Sequence, residues 1–309
     1  MLDANREDLV LGIVGAGLMG RGIAQIAALA GIEVLMFDLR AGAAEEAKAA
    51  LEQTLSMLEG KGKLSADERA AAVARIVPAA ALGEFARCHV VVEAIIENLD
   101  AKRALFRQLE EVVGDDCLLA SNTSSLAVTA IAAACRLPER VAGFHFFSPV
   151  PLMKIVEVIE GVLSAPWVGE TLTALARRMG HTPVRAKDTP GFIVNHAGRG
   201  FLTEALRIVG EGVADFATVD RVLRAAAGFR LGPFELLDLT GLDVSQPVME
   251  SIYDQYYQEP RYRPSPIARQ RLAAGLLGRK SGRGFYVYVD GKQQAPAARH
   301  ARPRQIAAL

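Results

Sequence analysis

The strongest constraint on this chain lies near its start. Residues 10–38, VLGIVGAGLMGRGIAQIAALAGIEVLMFD, read as a buried strand, a glycine turn, a helix with apolar residues at helical spacing and a second strand: a βαβ unit. The turn is Gly15-Ala16-Gly17-Leu18-Met19-Gly20, a G-x-G-x-x-G, and Asp38 closes the second strand eighteen residues beyond Gly20. The glycines permit a tight turn and let backbone N–H groups at the helix start approach a pyrophosphate, while Asp38 can accept hydrogen bonds from an adenosine ribose. Strand, helix and acid occur in the order a dinucleotide site needs. Asp38 repels a 2′-phosphate and suits a 2′-hydroxyl, which points to NAD, with Arg40 two residues on as a softening charge.

Beyond this unit, short β-rich runs recur at HVVVEAI, CLLASN, RVAGFHFF, KIVEVI and TPVRAK, with helical patterns between most of them up to about residue 186. Such alternation predicts a largely parallel sheet covered on both faces. After the second strand come two amphipathic stretches, about Ala43 to Glu59 and Ser65 to Arg75, joined by GKGK; Ser65 with Glu68 three residues later is a capping box. From Gly191 the strand signal fades into FIVNHAGRGFLTEALRIVGEG, ATVDRVLRAAAG and PIARQRLAAGLLG, all of helical periodicity. The expected fold class is therefore α/β: a Rossmann-type, mostly parallel sheet with an α-helical hairpin insertion, then an all-α C-terminal domain. DTPGF at 188–192 suits a hinge, giving domains at 1–187 and 188–290. Residues 291–309, with Lys292, Arg299, Arg302 and Arg304 and no acid after Asp290, read as a flexible basic tail or linker, as in a piece of a longer protein.

Composition excludes several functions. Thirty-five basic and thirty-five acidic residues cancel, so no global field draws the chain onto nucleic acid or an anionic membrane. Cys88, Cys117 and Cys135 form no C-x-x-C pair, which argues against a disulfide framework and a cysteine zinc site and suits a reducing, cytoplasmic setting. The N-terminal MLDANREDLV mixes acids and bases unlike a leader peptide, and the apolar stretch after it is broken by Arg21 and Glu33. His89, His181, His196 and His300 form no H-x-x-x-H, so no metal is expected. Neither a G-x-S-x-G elbow nor a phosphate loop with G-K-[ST] occurs.

Four residues stand out for chemistry. His145, in GFHFFSP, closes a strand that should finish on the carboxyl edge of the sheet, where open α/β folds bind ligands. Glu157, twelve residues on, lies inside the apolar KIVEVIE, where an ionised carboxylate needs a partner. The residues alone leave two readings open: a proton-transfer pair in which Glu157 holds the imidazole, or a core histidine with Glu157 on an edge strand. Ser124, in the SNTSS run at 121–125, is a polar site residue or part of an ordinary N-cap for a helix starting near Leu126. Asn195, inside an apolar helical run, is a site residue or a buried tie between helices.

Taken together, GAGLMGRGIA, VVEAIIENLDAK, ASNTSS, GFHFFSPVPLMKIVEVI, KDTPGFIVN and LGPFELLDLTGLD resemble the L-3-hydroxyacyl-CoA dehydrogenases in order and spacing, from about Leu9 to Val289. The resemblance implies NAD-dependent oxidation of (S)-3-hydroxyacyl-CoA to 3-oxoacyl-CoA, as in fatty-acid β-oxidation or butanoate- or phenylacetate-type catabolism. It also implies a homodimer through the C-terminal domain. In it His145 falls on the catalytic histidine and Glu157 on the glutamate that orients it, while Ser124 and Asn195 fall on residues that bond the reacting substrate oxygen. Gly15, Gly17, Leu18, Met19, Gly20 and Asp38 would hold the cofactor, and Glu97 and Lys102 match positions near its nicotinamide half. Ser148 departs from the Asn that many members carry after HFF. A β-hydroxyacid-type relative would place a lysine four residues before the helix asparagine, where this chain has Gly191. A CoA thioester brings phosphates that need cations away from the reacting carbon; Lys61 and Lys63 in GKGK supply them, or merely solvate a turn.

Overall fold

The computed structural model describes residues 2–294. They form two compact units, one ending at Ile193 and one starting at Val194. The first runs β1 (Val10–Val14), α1 (Leu18–Leu29), β2 (Glu33–Phe37), α2 (Ala43–Gly60), α3 (Ala66–Ala74), β3 (Ile76–Pro78), β4 (Val90–Glu93), α4 (Leu99–Glu110), β5 (Leu118–Ser121), α5 (Val128–Ala132), β6 (Val141–Phe146), β7 (Ile155–Glu160), α6 (Pro166–Arg178) and β8 (Thr182–Lys187). The sheet order is β3-β2-β1-β4-β5-β6-β7-β8. Every neighbouring pair is parallel except β6 with β7.

Burial on both faces explains the unbroken apolar runs. Leu11, Ile13, Val34 and Met36 face one buried cluster, and Val10, Val14 and Leu35 face the other. The hairpin of α2 and α3 matches the sequence expectation, and its capping box forms: the Glu68 N–H donates to Ser65 Oγ at 3.1 Å and the Ser65 N–H to Glu68 Oε2 at 2.8 Å. Two features escaped the sequence reading. β3 is only three residues long and ends in a proline, tolerable because it lies at the sheet edge. The run after HFF returns antiparallel to β6, since an eight-residue link, 147–154, is too short for a helical crossover.

The expected hinge at residue 188 belongs to the first unit for a physical reason. Asp188 caps α5, accepting from the Val128 and Thr129 N–H groups at 2.9 and 2.6 Å. Phe192 is buried against Val128, Ile159 and Ala186. The connection is thus held to the sheet domain until Ile193. SNTSS, in turn, is not the N-cap of the following helix; that helix starts at Val128 and uses Asp188.

The second unit comprises α7 (Val194–Gly210), α8 (Phe216–Ala227), α9 (Pro233–Thr240), α10 (Leu242–Gln255) and α11 (Pro266–Ala273), then a short hairpin of β9 (Tyr288–Val289) and β10 (Lys292–Gln293). Lys292, read from the sequence as part of a flexible tail, pairs with Val289 in this hairpin. Arg299, Arg302 and Arg304 lie outside the described residues. Among the described residues, no helix is long and apolar enough to cross a membrane.

Two buried aspartates fasten the FYVY segment to the helices. Asp238 accepts from the Phe285 and Tyr286 N–H groups at 2.8 and 2.9 Å and from Tyr288 Oη–H at 3.1 Å. Asp220 accepts from the Phe234 and Glu235 N–H groups and from Tyr286 Oη–H. Burial raises both carboxyls above the usual aspartate range. Asp238→Ala orphans two buried N–H groups and should lower stability by about 2–5 kcal/mol. Urea unfolding followed by circular dichroism tests this; an unshifted midpoint would show that the segment holds without its clip.

Candidate active site

The glycine turn sits where β1 pairs with β2 on one side and β4 on the other, the switch point at which open α/β sheets bind ligands. Gly15 has φ +105°, and a Cβ there would lie 2.5 Å from the Ala94 carbonyl oxygen. A Cβ on Gly20 would lie 1.8 Å from the Gly15 oxygen, so both are required by packing. Gly17 differs: nothing lies within 4 Å of its missing Cβ. It caps α1 without a side-chain bond, and the first turn, which includes exposed Leu18 and half-buried Met19, carries no acid. The positive end of a twelve-residue helix therefore opens onto a cradle that fits a pyrophosphate.

Asp38 accepts from the Ala16 N–H at 2.8 Å and the Arg40 N–H at 2.9 Å, one on each oxygen, leaving lone pairs for ribose hydroxyls. The Arg40 guanidinium forks onto Glu46 at 2.9 and 2.5 Å. That cation already has a partner, which weakens it as a receiver for a 2′-phosphate. A cleft of about 740 Å³ lined by Gly15, Gly17, Asp38, Ile96 and Leu105 opens beside it.

At the ends of β4 and β5 the structure assembles a charged network that sequence reasoning saw only in part. Lys102 is 1% exposed; its Nζ lies 2.5 Å from Glu93 and 3.3 Å from Glu97. Glu93 also accepts from Ser121 Oγ–H at 2.6 Å and the Ile95 N–H at 2.7 Å. Glu93 was missed, although an acid closing the apolar run VVVE nine residues before a lysine signals it. Glu97 Oε1 gathers Thr123 Oγ–H at 2.7 Å, the Ser124 N–H at 2.9 Å, Ser124 Oγ–H at 3.3 Å and Ser125 Oγ–H at 3.1 Å. Burial alone would raise its carboxyl, but the Lys102 ammonium and these donors hold it below the usual range.

His145 and Glu157 are register partners across the antiparallel pair. The histidine is 5% exposed and the glutamate 0%. His145 Nδ1 lies 2.7 Å from Glu157 Oε2, and the Ile193 N–H donates to Oε1 at 2.8 Å. A carboxylate only accepts, so Nδ1 carries the proton and Nε2 is the basic nitrogen. The rings of Phe147 and Phe192 flank the imidazole at centroid distances of 4.5 and 5.8 Å. The two side chains are thus paired, and Glu157 is buried rather than exposed on an edge strand.

A second cleft of about 590 Å³ lies between α1, the helical hairpin and the 149–154 link. Its wall is largely apolar, with Arg21, Lys63 and Lys154 as its cations; Lys61, at the C-cap of α2, is outside this lining. Asn195 belongs to the other unit, on the first turn of α7, where its Oδ1 accepts from Arg199 Nη2 at 3.3 Å.

Residues 10–189 match the model of the 3-hydroxyacyl-CoA dehydrogenase NAD binding domain, and residues 191–288 that of the 3-hydroxyacyl-CoA dehydrogenase C-terminal domain. The chain is 43% identical over 274 residues to the 3-hydroxyadipyl-CoA dehydrogenase of Escherichia coli K12, covering 89% of this chain but 58% of that relative's length. It is 42% identical to a probable 3-hydroxybutyryl-CoA dehydrogenase of Deinococcus radiodurans, covering 90% of this chain and 99% of the relative. Among solved structures, an Escherichia coli 3-hydroxybutyryl-CoA dehydrogenase superposes with a TM-score of 0.90 at 41% identity, over 94% of this chain and 61% of that one. The (S)-3-hydroxybutyryl-CoA dehydrogenase of Ralstonia eutropha superposes at 0.87 and 38% identity, over 91% and 99%. The two family models together span both units, and on that ground the chain belongs to the 3-hydroxyacyl-CoA dehydrogenase family.

Proposed function

We propose that the protein oxidises (S)-3-hydroxyacyl-CoA thioesters to 3-oxoacyl-CoA with NAD, and in reverse reduces 3-oxoacyl-CoA with NADH. The observation that carries this reading is the buried His145–Glu157 pair at the carboxyl edge of the sheet that holds the glycine cradle. NAD, held at the Gly17 cradle and Asp38, would supply the hydride acceptor for C3. His145 Nε2 takes the proton of the 3-hydroxyl, and Glu157 stabilises the imidazolium that results. In reverse, the imidazolium returns that proton to the developing alkoxide. Ser124, held by Glu97, bonds the reacting oxygen, and Asn195 is assigned the same role from the sequence match. Phe147 and Phe192 keep water from the imidazole, which strengthens the pair.

The substrate handle is assigned to the second cleft. Its apolar wall suits a pantetheine arm, and Arg21, Lys63 and Lys154 suit the phosphates of coenzyme A. Lys61 contributes at most at the rim. The names of the relatives make short acyl chains, with or without a distal carboxyl, the proposed substrates. A reducing, cytoplasmic setting fits three unpaired thiols, of which Cys88 and Cys135 are pushed up to about 12 by burial. A homodimer through the helical unit fits its exposed Val213, Val222, Phe229 and Val244.

His145→Gln is expected to lower kcat about 10²–10⁴-fold while NADH affinity survives, as measured by stopped-flow turnover and fluorescence titration; retained turnover would make His145 structural. Lys63→Ala with Lys154→Ala should raise KM for acetoacetyl-CoA in a salt-sensitive way at nearly constant kcat. An unchanged KM would remove this cleft from substrate binding. Light scattering at micromolar concentration should give twice the chain mass, and a monomer would refute the dimer.

A further inference from the structure

Phe192 carries a backbone conformation that a bulky L residue seldom adopts. Its φ is +50°, directly after Gly191 at +80°. Glycine tolerates this region, whereas an aromatic side chain there is strained, and such strain persists only where the surroundings impose it. Three contacts impose it here. The Phe192 N–H donates to the Thr189 carbonyl at 2.8 Å. Its ring is 4% exposed, packed with Val128, Ile159 and Ala186. The same ring faces His145 at 5.8 Å between centroids. The left-handed turn then delivers the next N–H, that of Ile193, onto Glu157 Oε1 at 2.8 Å.

We infer that Phe192 is a positioning residue for the acid–base pair: its strained backbone turns the Ile193 N–H onto Glu157 while its ring closes over His145. This inference rests on the proton-transfer role proposed for His145. Glu157 has two oxygens to satisfy at a site without solvent. One is bonded by the imidazole, and the connecting segment serves the other, so the carboxylate cannot rotate away from His145. The ring meanwhile displaces water that would solvate an imidazolium.

Among the described residues, the charged group paired with the imidazole is Glu157 on β7; the groups packed on its ring, Phe147 at the end of β6 and Phe192 on the connection, are uncharged. Losing the ring admits water to the imidazole, and losing the Ile193 N–H frees the second oxygen of Glu157 to turn. Both changes act on the pair itself, so the acidic limb of the kcat/KM profile is a readout that loosened packing elsewhere would not move.

Phe192→Gly relaxes the backbone and removes the ring, and Val128→Ala loosens the same buried cluster without touching the pair. We expect Phe192→Gly to lower kcat about 10- to 100-fold, to move the acidic limb and to leave NADH affinity within about twofold. Phe192→Tyr, which keeps ring and volume, should recover most of the rate. Val128→Ala should leave the limb where it is. A Phe192→Gly enzyme with wild-type kcat and limb would overturn the inference, as would an equal shift in Val128→Ala, which would make the effect one of loosened packing. A fully active His145→Gln enzyme would instead overturn the underlying acid–base reading, so the two failures are distinguishable.

Discussion

The carboxylate of Glu157 has no contact with solvent, and the sheet around it is arranged as burying that charge requires. An ionised carboxyl moved out of water without partners is strongly unfavourable, and in practice it is neutralised or compensated. Compensation by His145 needs the two side chains on one face, directly opposite. An antiparallel pair provides this at register positions. A parallel β7 would have needed a helical crossover, whereas the eight-residue link turns the chain straight back. Reversal has a second consequence. Glu157 is the third residue of β7, and in a reversed strand the beginning lies where the parallel strands end, so it meets His145 at the ligand-binding edge.

How much of this was legible in the sequence depends on whether a feature is local. The first βαβ unit was plain because strand, turn, helix and acid are contiguous. His145 and Glu157 were legible as candidates, and their pairing as one of two open readings, from an acid in an apolar strand and a histidine at a strand end; the family resemblance favoured the pair. KIVEVI has the same apolar pattern whether it runs parallel or antiparallel, so its direction had no signature. Asp188 capping α5 bridges about sixty positions, and Asp238 reaches Phe285 across forty-seven. Contacts of a side chain with distant backbone leave no periodicity to find. Lys102 was assigned to the cofactor from resemblance, and burial adds what spacing could not: its ammonium is fixed by Glu93 before it meets Glu97.

The buried acids divide by partner. Asp220 and Asp238 bond backbone N–H and tyrosine hydroxyl groups, and their carboxyls are raised by burial, so they act as architectural clips. Glu93 and Glu157 each face an ionisable side chain instead, Lys102 and His145. Taking both charges out of water offsets most of their mutual attraction, so pairs of this kind gain little stability over apolar packing, although removing one member leaves an uncompensated charge. Their placement at the carboxyl edge of the sheet, at the end of β4 and near the start of β7, suits the orientation they give Lys102 and the imidazole.

The strand order also sets what kind of molecule can use this edge. From Asp38 after β2 to His145 on β6 the path crosses β1, β4 and β5, four strand spacings in all, or roughly 19 Å at about 4.8 Å each. A single nucleotide anchored at Asp38 and the Gly17 cradle stops well short of the imidazole. Two nucleotides joined by a pyrophosphate at the start of α1 would span that distance, so the strand order suits a dinucleotide rather than a mononucleotide.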